Sequence, residues 1–364
     1  MMSMRSIIIV VRWVASLFLV TSCSVCVTSH AQTRETVFNV KKRNHLQSVY
    51  FPRDSVVFGP CYCGGKAGNT FKSWSLVNGG VDTLFSLDQR TWIDVMAMGH
   101  NGDLIAIATM GDEPHFLGCY SLSGHAWQWK FDNAESVRDL TFSEDDQEVI
   151  AVWSDWIYRI DSRSGKRLER YAGILRDFPL GGNKITLGSF STSGRYYAIW
   201  QEHPSPWGLA DLGLTAANKE VCVWDLRQRK TVANIKKPDA IVLAVTFSDS
   251  EDYLFMSCAD HKILLASLAE NKIVTTCDGD ANYLTSCKGR KFVAGGSWEA
   301  TVWEYPTMNK VKNLGTLTNA MRPSEEMPLA FSNDGRWLAI EQLGRLNLYD
   351  TDSWEVRWSV QTCP

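Results

Sequence analysis

Leu329–Val360 reads LAFSNDGRWLAIEQLGRLNLYDTDSWEVRWSV. Its apolar runs are Leu329–Phe331, Trp337–Ile340, Leu346–Tyr349 and Val356–Val360. Asn333-Asp334-Gly335, Leu343-Gly344-Arg345 and Thr351-Asp352-Ser353 separate them. Short apolar runs punctuated by Gly, Asn, Asp and Ser predict strands joined by tight hairpins. A four-stranded meander of this length cannot bury both faces alone and needs neighbours like itself.

The chain supplies them. The first turn, FSNDGR, has counterparts in Tyr50–Ser55, Ala97–Asp103, Phe142–Gln147, Phe190–Arg195, Phe247–Asp252 and Thr285–Arg290. The end of the third run, LYDT, has counterparts in Trp74–Leu76, Tyr120–Leu122, Ile160–Ser162, Val223–Leu226, Ala266–Leu268 and Val302–Tyr305. The two signatures alternate without a miss, seven of each. Most intervals lie near the ~40–45 residues of a four-stranded propeller blade. The expected fold is therefore all-β, a seven-bladed β-propeller of four-stranded antiparallel blades.

Val223-Trp224-Asp225-Leu226, Val302-Trp303-Glu304 and the recurring Phe-Ser-x-Asp/Ser-Gly turn resemble WD-repeat propellers, over roughly Val49 to Val360. The resemblance implies a ring that docks other proteins or peptides. Trp224-Asp225 is the one true Trp-Asp pair at these positions, and no Gly-His dipeptide precedes the first strand of each blade. The family's buried His–Asp network therefore does not carry over. The segments YSLSGHAWQWKF and IDSRSGKRLERY also resemble quinoprotein-type repeats, without a locatable cofactor cage.

Residues 1–31 read as a signal peptide. Arg5 and Arg12 precede a short apolar core, Trp13–Val20, and small residues follow. Two cleavage readings stand. Ser29-His30-Ala31 fits ordinary cleavage before Gln32, whereas Leu19-Val20-Thr21-Ser22-Cys23 resembles a lipobox that would acylate Cys23. Ile7–Val20 is interrupted by Arg12 and falls short of the ~20 residues that span a bilayer. The expected location is outside the cytoplasm: periplasmic, secreted or lipid-anchored at the envelope. Residues 32–48 form a lead-in, with Thr36–Val40 alternating like a strand. It either closes the last blade in place of Val356–Val360 or lies outside it. The propeller itself covers 49–364.

Cleavage removes two arginines and no acids, taking the net charge from −3 to about −5. A mildly acidic domain without a basic stripe is a poor partner for a phosphate backbone, so nucleic acid is not expected. Eight cysteines remain after Ala31, an even number that permits disulfides in an exported chain. Cys277 and Cys287 flank one connection between blades and are the candidate pair. Cys61-x-Cys63 offers two of the four ligands that a tetrahedral metal site needs.

Phosphate cradles, His-Glu-x-x-His, Gly-x-Ser-x-Gly and a paired Cys-x-x-Cys motif are absent from the sequence. The seven histidines share no ligand-like spacing. The reading is thus a non-enzymatic scaffold for protein or ligand binding, without cofactor or metal. The alternative is a propeller hydrolase or lactonase with a metal in the central channel, or a quinoprotein-like repeat protein.

The repeat is interrupted twice, by Ala172–Asn183 and by Gln201–Glu220. Propeller geometry brings these connections to one face. Long loops inside a compact repeat tend to carry function. They gather Arg176, Phe178, His203, Trp207 and Leu209, so the expected partner-binding surface lies there.

Overall fold

The computed structural model describes residues 56–361, apart from 63–68, 76–80, 88–90, 112–114, 135–136, 154–155, 172–185, 202–219, 237–239, 288, 297–298, 317–328, 333 and 343–344. The first sheet holds β1 (Val56–Tyr62), β2 (Asn69–Ser75) and β3 (Val81–Ser86). Six four-stranded blades follow. Blade A is β4 (Thr91–Met98), β5 (Leu104–Gly111), β6 (Phe116–Ser121) and β7 (Ala126–Asp132). Blade B is β8 (Val137–Phe142), β9 (Glu148–Trp153), β10 (Trp156–Asp161) and β11 (Arg167–Tyr171). Blade C is β12 (Thr186–Phe190), β13 (Tyr196–Gln201), β14 (Glu220–Asp225) and β15 (Lys230–Lys236). Blade D is β16 (Val242–Phe247), β17 (Tyr253–Cys258), β18 (Lys262–Ser267) and β19 (Lys272–Asp278). Blade E is β20 (Tyr283–Ser286), β21 (Phe292–Gly296), β22 (Glu299–Glu304) and β23 (Asn309–Thr316). Blade F is β24 (Leu329–Phe331), β25 (Trp337–Gln342), β26 (Arg345–Asp350) and β27 (Val356–Gln361).

Every sheet is an antiparallel meander in chain order. The first strands of blades A to F pack side by side, each on the next. The core is correspondingly divided into layers between successive blades. One layer joins the first sheet to blades A and B, and four more join B to C, C to D, D to E and E to F.

The expectation of seven four-stranded blades is corrected here. Among the described residues there are six four-stranded blades, and the described strands between Val56 and Ser86 form a three-stranded sheet. A turn signature marks the hairpin between the first and second strands, so it counts a full blade only if an apolar strand precedes it. Before Phe247 that strand is VLAVT; before Tyr50 the sequence is KKRNHLQSV, polar and basic. Counting turns therefore overcounted four-stranded blades. Thr36–Val40 lies outside the described residues.

The signatures have a common physical origin. Between the first two strands, each blade places one residue in the left-handed region: Gly102, Asp146, Gly194, Glu251, Gly289 and Gly335. Glycine fits there without steric penalty, which explains the recurring Gly of Phe-Ser-x-Asp-Gly. The second signature starts where the pairing of the third and fourth strands slips, for example at Cys119/Tyr120, Val223/Trp224 and Leu348/Tyr349. The two signatures then meet. The amides of Leu122, Ser162, Leu226, Leu268, Tyr305 and Thr351 donate to the carbonyls of Asp103, Gln147, Arg195, Asp252, Lys291 and Arg336 at 2.8–3.0 Å. One bond per blade ties the third strand's end to the first turn, and this is why the signatures alternate.

Cys277 is a free thiol opposite Ile263 on the outer strand of blade D, so it is not joined to Cys287. Cys287 is fully buried in the layer between blades E and F, with its Sγ 3.5 Å from the Gly335 carbonyl. The expected disulfide is not formed, because the two residues face different layers. Burial pushes the Cys287 thiol up to about 12, which suits an inert core residue.

Phe255 is fully buried between blades D and E, with its ring 5.1 Å from that of Tyr305 at 71°. Phe255→Ala should lower stability by about 3–5 kcal/mol, read from urea unfolding. Val274→Ala, on the exposed outer strand of the same blade, should stay within about 0.5 kcal/mol of the parent. Equal losses would show that the interblade layer is not the source of stability.

Candidate functional site

Two blades depart from glycine at the left-handed position, blade B with Asp146 (φ 57°) and blade D with Glu251 (φ 60°). A side chain there is strained relative to glycine. Both side chains reach a neighbouring blade. Asp146 accepts the His100 amide at 2.7 Å and the Asn101 amide at 2.8 Å, both from the first turn of blade A. Glu251 accepts the Ser193 amide from the first turn of blade C at 3.0 Å. The His100 ring completes the link: Nδ1 lies 3.0 Å from Asp146 and Nε2 lies 2.9 Å from the Thr192 carbonyl of blade C. Blade E joins the belt through the Gly289 amide on Asp249, at 3.1 Å. Asp146 is 5% exposed. Burial works against its ionisation, but the bonds from the His100 ring and from the Asn101 and His100 amides outweigh it and hold its pKa below the ordinary carboxylate value.

Beside this belt, a groove of about 470 Å³ opens between blades B and C. Its floor is apolar. Ile150, Tyr171 and Leu226 are buried members of the layer that joins the two blades. Above them runs a chain of alternating charges. Arg159 on β10 meets both oxygens of Glu148 on β9, and its Nη1 lies 3.1 Å from Glu169 on β11. The other oxygen of Glu169 takes Arg229 of blade C, whose guanidinium also stacks 5.3 Å over the Tyr171 ring. The strand pairing explains the alignment: Arg159 stands opposite both Ile150 and Glu169, which puts all three on the face toward blade C.

The two rims of the groove carry opposite charge. On the blade B side, the first turn presents exposed Glu144 and Asp145. Asp145 is held below the usual carboxylate range chiefly by the Ser143 hydroxyl, then by the Gln147 amide, with a contribution from the charge of Arg227. On the blade C side, the turn between the third and fourth strands presents exposed Arg227 and Arg229. Asp225, fully buried, anchors that turn. It accepts two bonds from Arg195, at 2.7 and 2.9 Å, and one from the Gln228 amide at 2.8 Å. This Asp is the one in Trp224-Asp225, so its role is to fix the turn.

Arg176 and Phe178, in 172–185, and His203, Trp207 and Leu209, in 202–219, lie outside the described residues, as does Cys23. Sequence reasoning missed the groove because it is built from ordinary repeat positions. The available signal was the alternation of EDD at Glu144–Asp146 with RQRK at Arg227–Lys230, two turns of opposite sign in adjacent blades. Among the described residues, no group of three or more His, Cys, Asp or Glu side chains is placed to hold a metal ion. Among them, too, no helix is long and apolar enough to cross a membrane.

No family model matches the sequence, and no curated protein matches it. Among solved structures, the chain is similar to the β-propeller domain of Cps50 (Swd1) from Myceliophteria thermophila. The identity is 14% and the TM-score 0.57, over 86% of this chain and 99% of that one. The likeness carries the β-propeller fold.

The belt decides between two opposed effects at one residue. Asp146→Gly relieves a left-handed side chain, a gain of about 1 kcal/mol, but removes charge-assisted bonds of about 1.5–3 kcal/mol each. With two amide bonds lost, the variant should therefore be less stable than the parent by about 2–5 kcal/mol at pH 7. The pH dependence has a fixed sign. A carboxylate with a depressed folded pKa contributes fully above its unfolded value, near ~4, and loses that contribution as pH falls through the folded value. The gap between parent and variant should thus close in acid. Greater stability for Asp146→Gly at pH 7 would show that strain, not stapling, dominates.

Proposed function

We propose that the protein is an exported, non-enzymatic propeller scaffold that binds another protein or a peptide, with the groove between blades B and C as its docking site. The observation that carries this reading is the groove itself, with a buried apolar floor, charged rims of opposite sign and turns held by bonds between blades. Apolar anchoring with flanking polar recognition on rigid elements is the usual physics of a docking site. The resemblance to WD-repeat propellers supports the same role. Export rests on the N-terminal sequence, with Arg5, Arg12 and the apolar Trp13–Val20 preceding either Ala31 or Cys23.

Site-specific photocross-linking in the producing cells tests this reading. A photoreactive residue at position 227, on the groove rim, should give a discrete adduct with a second protein. The same residue at position 274, on the outer strand of blade D, should not. The cross-linked chain should begin at Gln32, or at an acylated Cys23, in mass spectra of its N-terminal peptide. Indistinguishable adducts from the two positions would remove the groove as docking site, and an intact Met1 would remove export.

A further inference from the structure

The distribution of satisfied and unsatisfied charge in the groove says what kind of segment it takes. The inner carboxylates are already neutralised. Glu148 meets Arg159 with both oxygens, and Glu169 divides its two between Arg159 and Arg229. What remains is at the rims. A guanidinium carries five N–H donors in a fork that matches a carboxylate. That of Arg229, 63% exposed, gives one nitrogen to Glu169 Oε1. Exposed Arg227 stands beside it on the same turn. Across the groove, exposed Glu144 neighbours Asp145, which stays ionised through its Ser143 and Gln147 bonds. Between the rims, Ile150, Tyr171 and Leu226 form a floor that has no charge to offer.

Building on the scaffold reading, we infer that the groove binds an extended peptide segment of zwitterionic pattern. An acidic side chain meets Arg227 and Arg229, an apolar side chain lies on the floor, and a basic side chain meets Glu144. Other chemistries fit less well. A polyanion such as a nucleic-acid strand would be drawn to one rim and repelled by the other. A uniformly basic segment meets the converse problem. A small apolar ligand would leave both rims unanswered. The cavity of about 470 Å³ lies within the range of pockets that hold drug-sized groups. Turns already fixed by Asp146 and Asp225 also reduce the ordering entropy lost on docking.

The test uses the full chain and four fluorescein-labelled nonapeptides with identical Gly-Ser flanks, centred on Glu-Leu-Lys, Glu-Leu-Glu, Lys-Leu-Lys and Glu-Ser-Lys. Fluorescence anisotropy should rank Glu-Leu-Lys first. Each control should bind about tenfold or more weakly, the equivalent of losing one complementary contact. In the Arg227→Glu, Arg229→Glu double variant, Glu-Leu-Lys should lose about tenfold or more, while Lys-Leu-Lys gains. Both positions are exposed, but Arg229 also pairs with Glu169, so the comparison counts only at an unchanged melting temperature. If that temperature falls, Glu144→Lys is the substitute; it should weaken Glu-Leu-Lys and favour Glu-Leu-Glu. Tightest binding by Glu-Leu-Glu or Lys-Leu-Lys, equal binding by all four, or no saturable binding overturns the inference. If it fails in any of these ways while the adduct at position 227 persists, docking at the groove stands and only the pattern of the segment is wrong.

Discussion

A ring of sheets has no single core, so its integrity depends on what holds one blade against the next. Here the controlling interaction is a carboxylate in a left-handed turn that accepts amides from the adjacent blade. Asp146 does this toward blade A and Glu251 toward blade C. Each substitution for glycine gives up conformational ease in its own turn and gains a charge-assisted bond to a neighbour. The layers between blades supply most of the buried apolar area, but that attraction is non-directional. The bonds between turns fix the angle at which the layers meet.

Blades diverge as they run outward. Between blades A and B, Trp129 and Phe131 stand on β7, the outermost strand of blade A, against Trp153 on β9 and Tyr158 on β10 of blade B. Large rings at the periphery would leave faces open to water. Arg167 covers three of them, with its guanidinium 4.9 Å from Phe131, 4.7 Å from Trp153 and 5.4 Å from Tyr158. Lys130 does the same for Trp127 at 4.1 Å, and burial there lowers its pKa. Cations laid on rings close the wedge where aliphatic side chains would be too short to meet.

The period of the repeat was legible because it is written in backbone chemistry. A left-handed turn demands Gly or a close substitute, and a slip in strand pairing demands a second signature about half a blade later. The number of complete blades was not legible from the same marks, since a turn such as Tyr50–Ser55 says nothing about the strand before it. The proposed Cys277–Cys287 bridge failed for a related reason. Nearness in sequence across a connection does not place two side chains in the same layer. The loop surface around Phe178 and Trp207 attracted attention because it interrupts the pattern. The groove interrupts nothing: Glu144, Arg227 and Arg229 occupy turn positions that any blade fills, and only their charges, set side by side by the ring, distinguish them. His100 likewise joins the belt from a Gly-His pair that lies in a turn, not before a first strand.

The same turn that joins blade A to blade B also forms one rim of the groove. Asp146 follows directly on Glu144 and Asp145, its carboxylate bonded to blade A and its carbonyl accepting the Ser162 hydroxyl at 2.7 Å. The opposite rim is fixed by the buried Asp225, within the blade whose first turn binds Glu251. The blade B rim is therefore held by contacts that also hold the ring, and the blade C rim by bonds within its own blade to the turn that Glu251 engages. A partly exposed salt-bridge chain such as Glu148–Arg159–Glu169–Arg229 adds little to folding by itself, because solvent screens its attraction and ordering the side chains costs entropy. Its consequence is geometric: it fills the groove's inner polar valences and leaves the exposed charges at the rims, where an incoming segment would meet them.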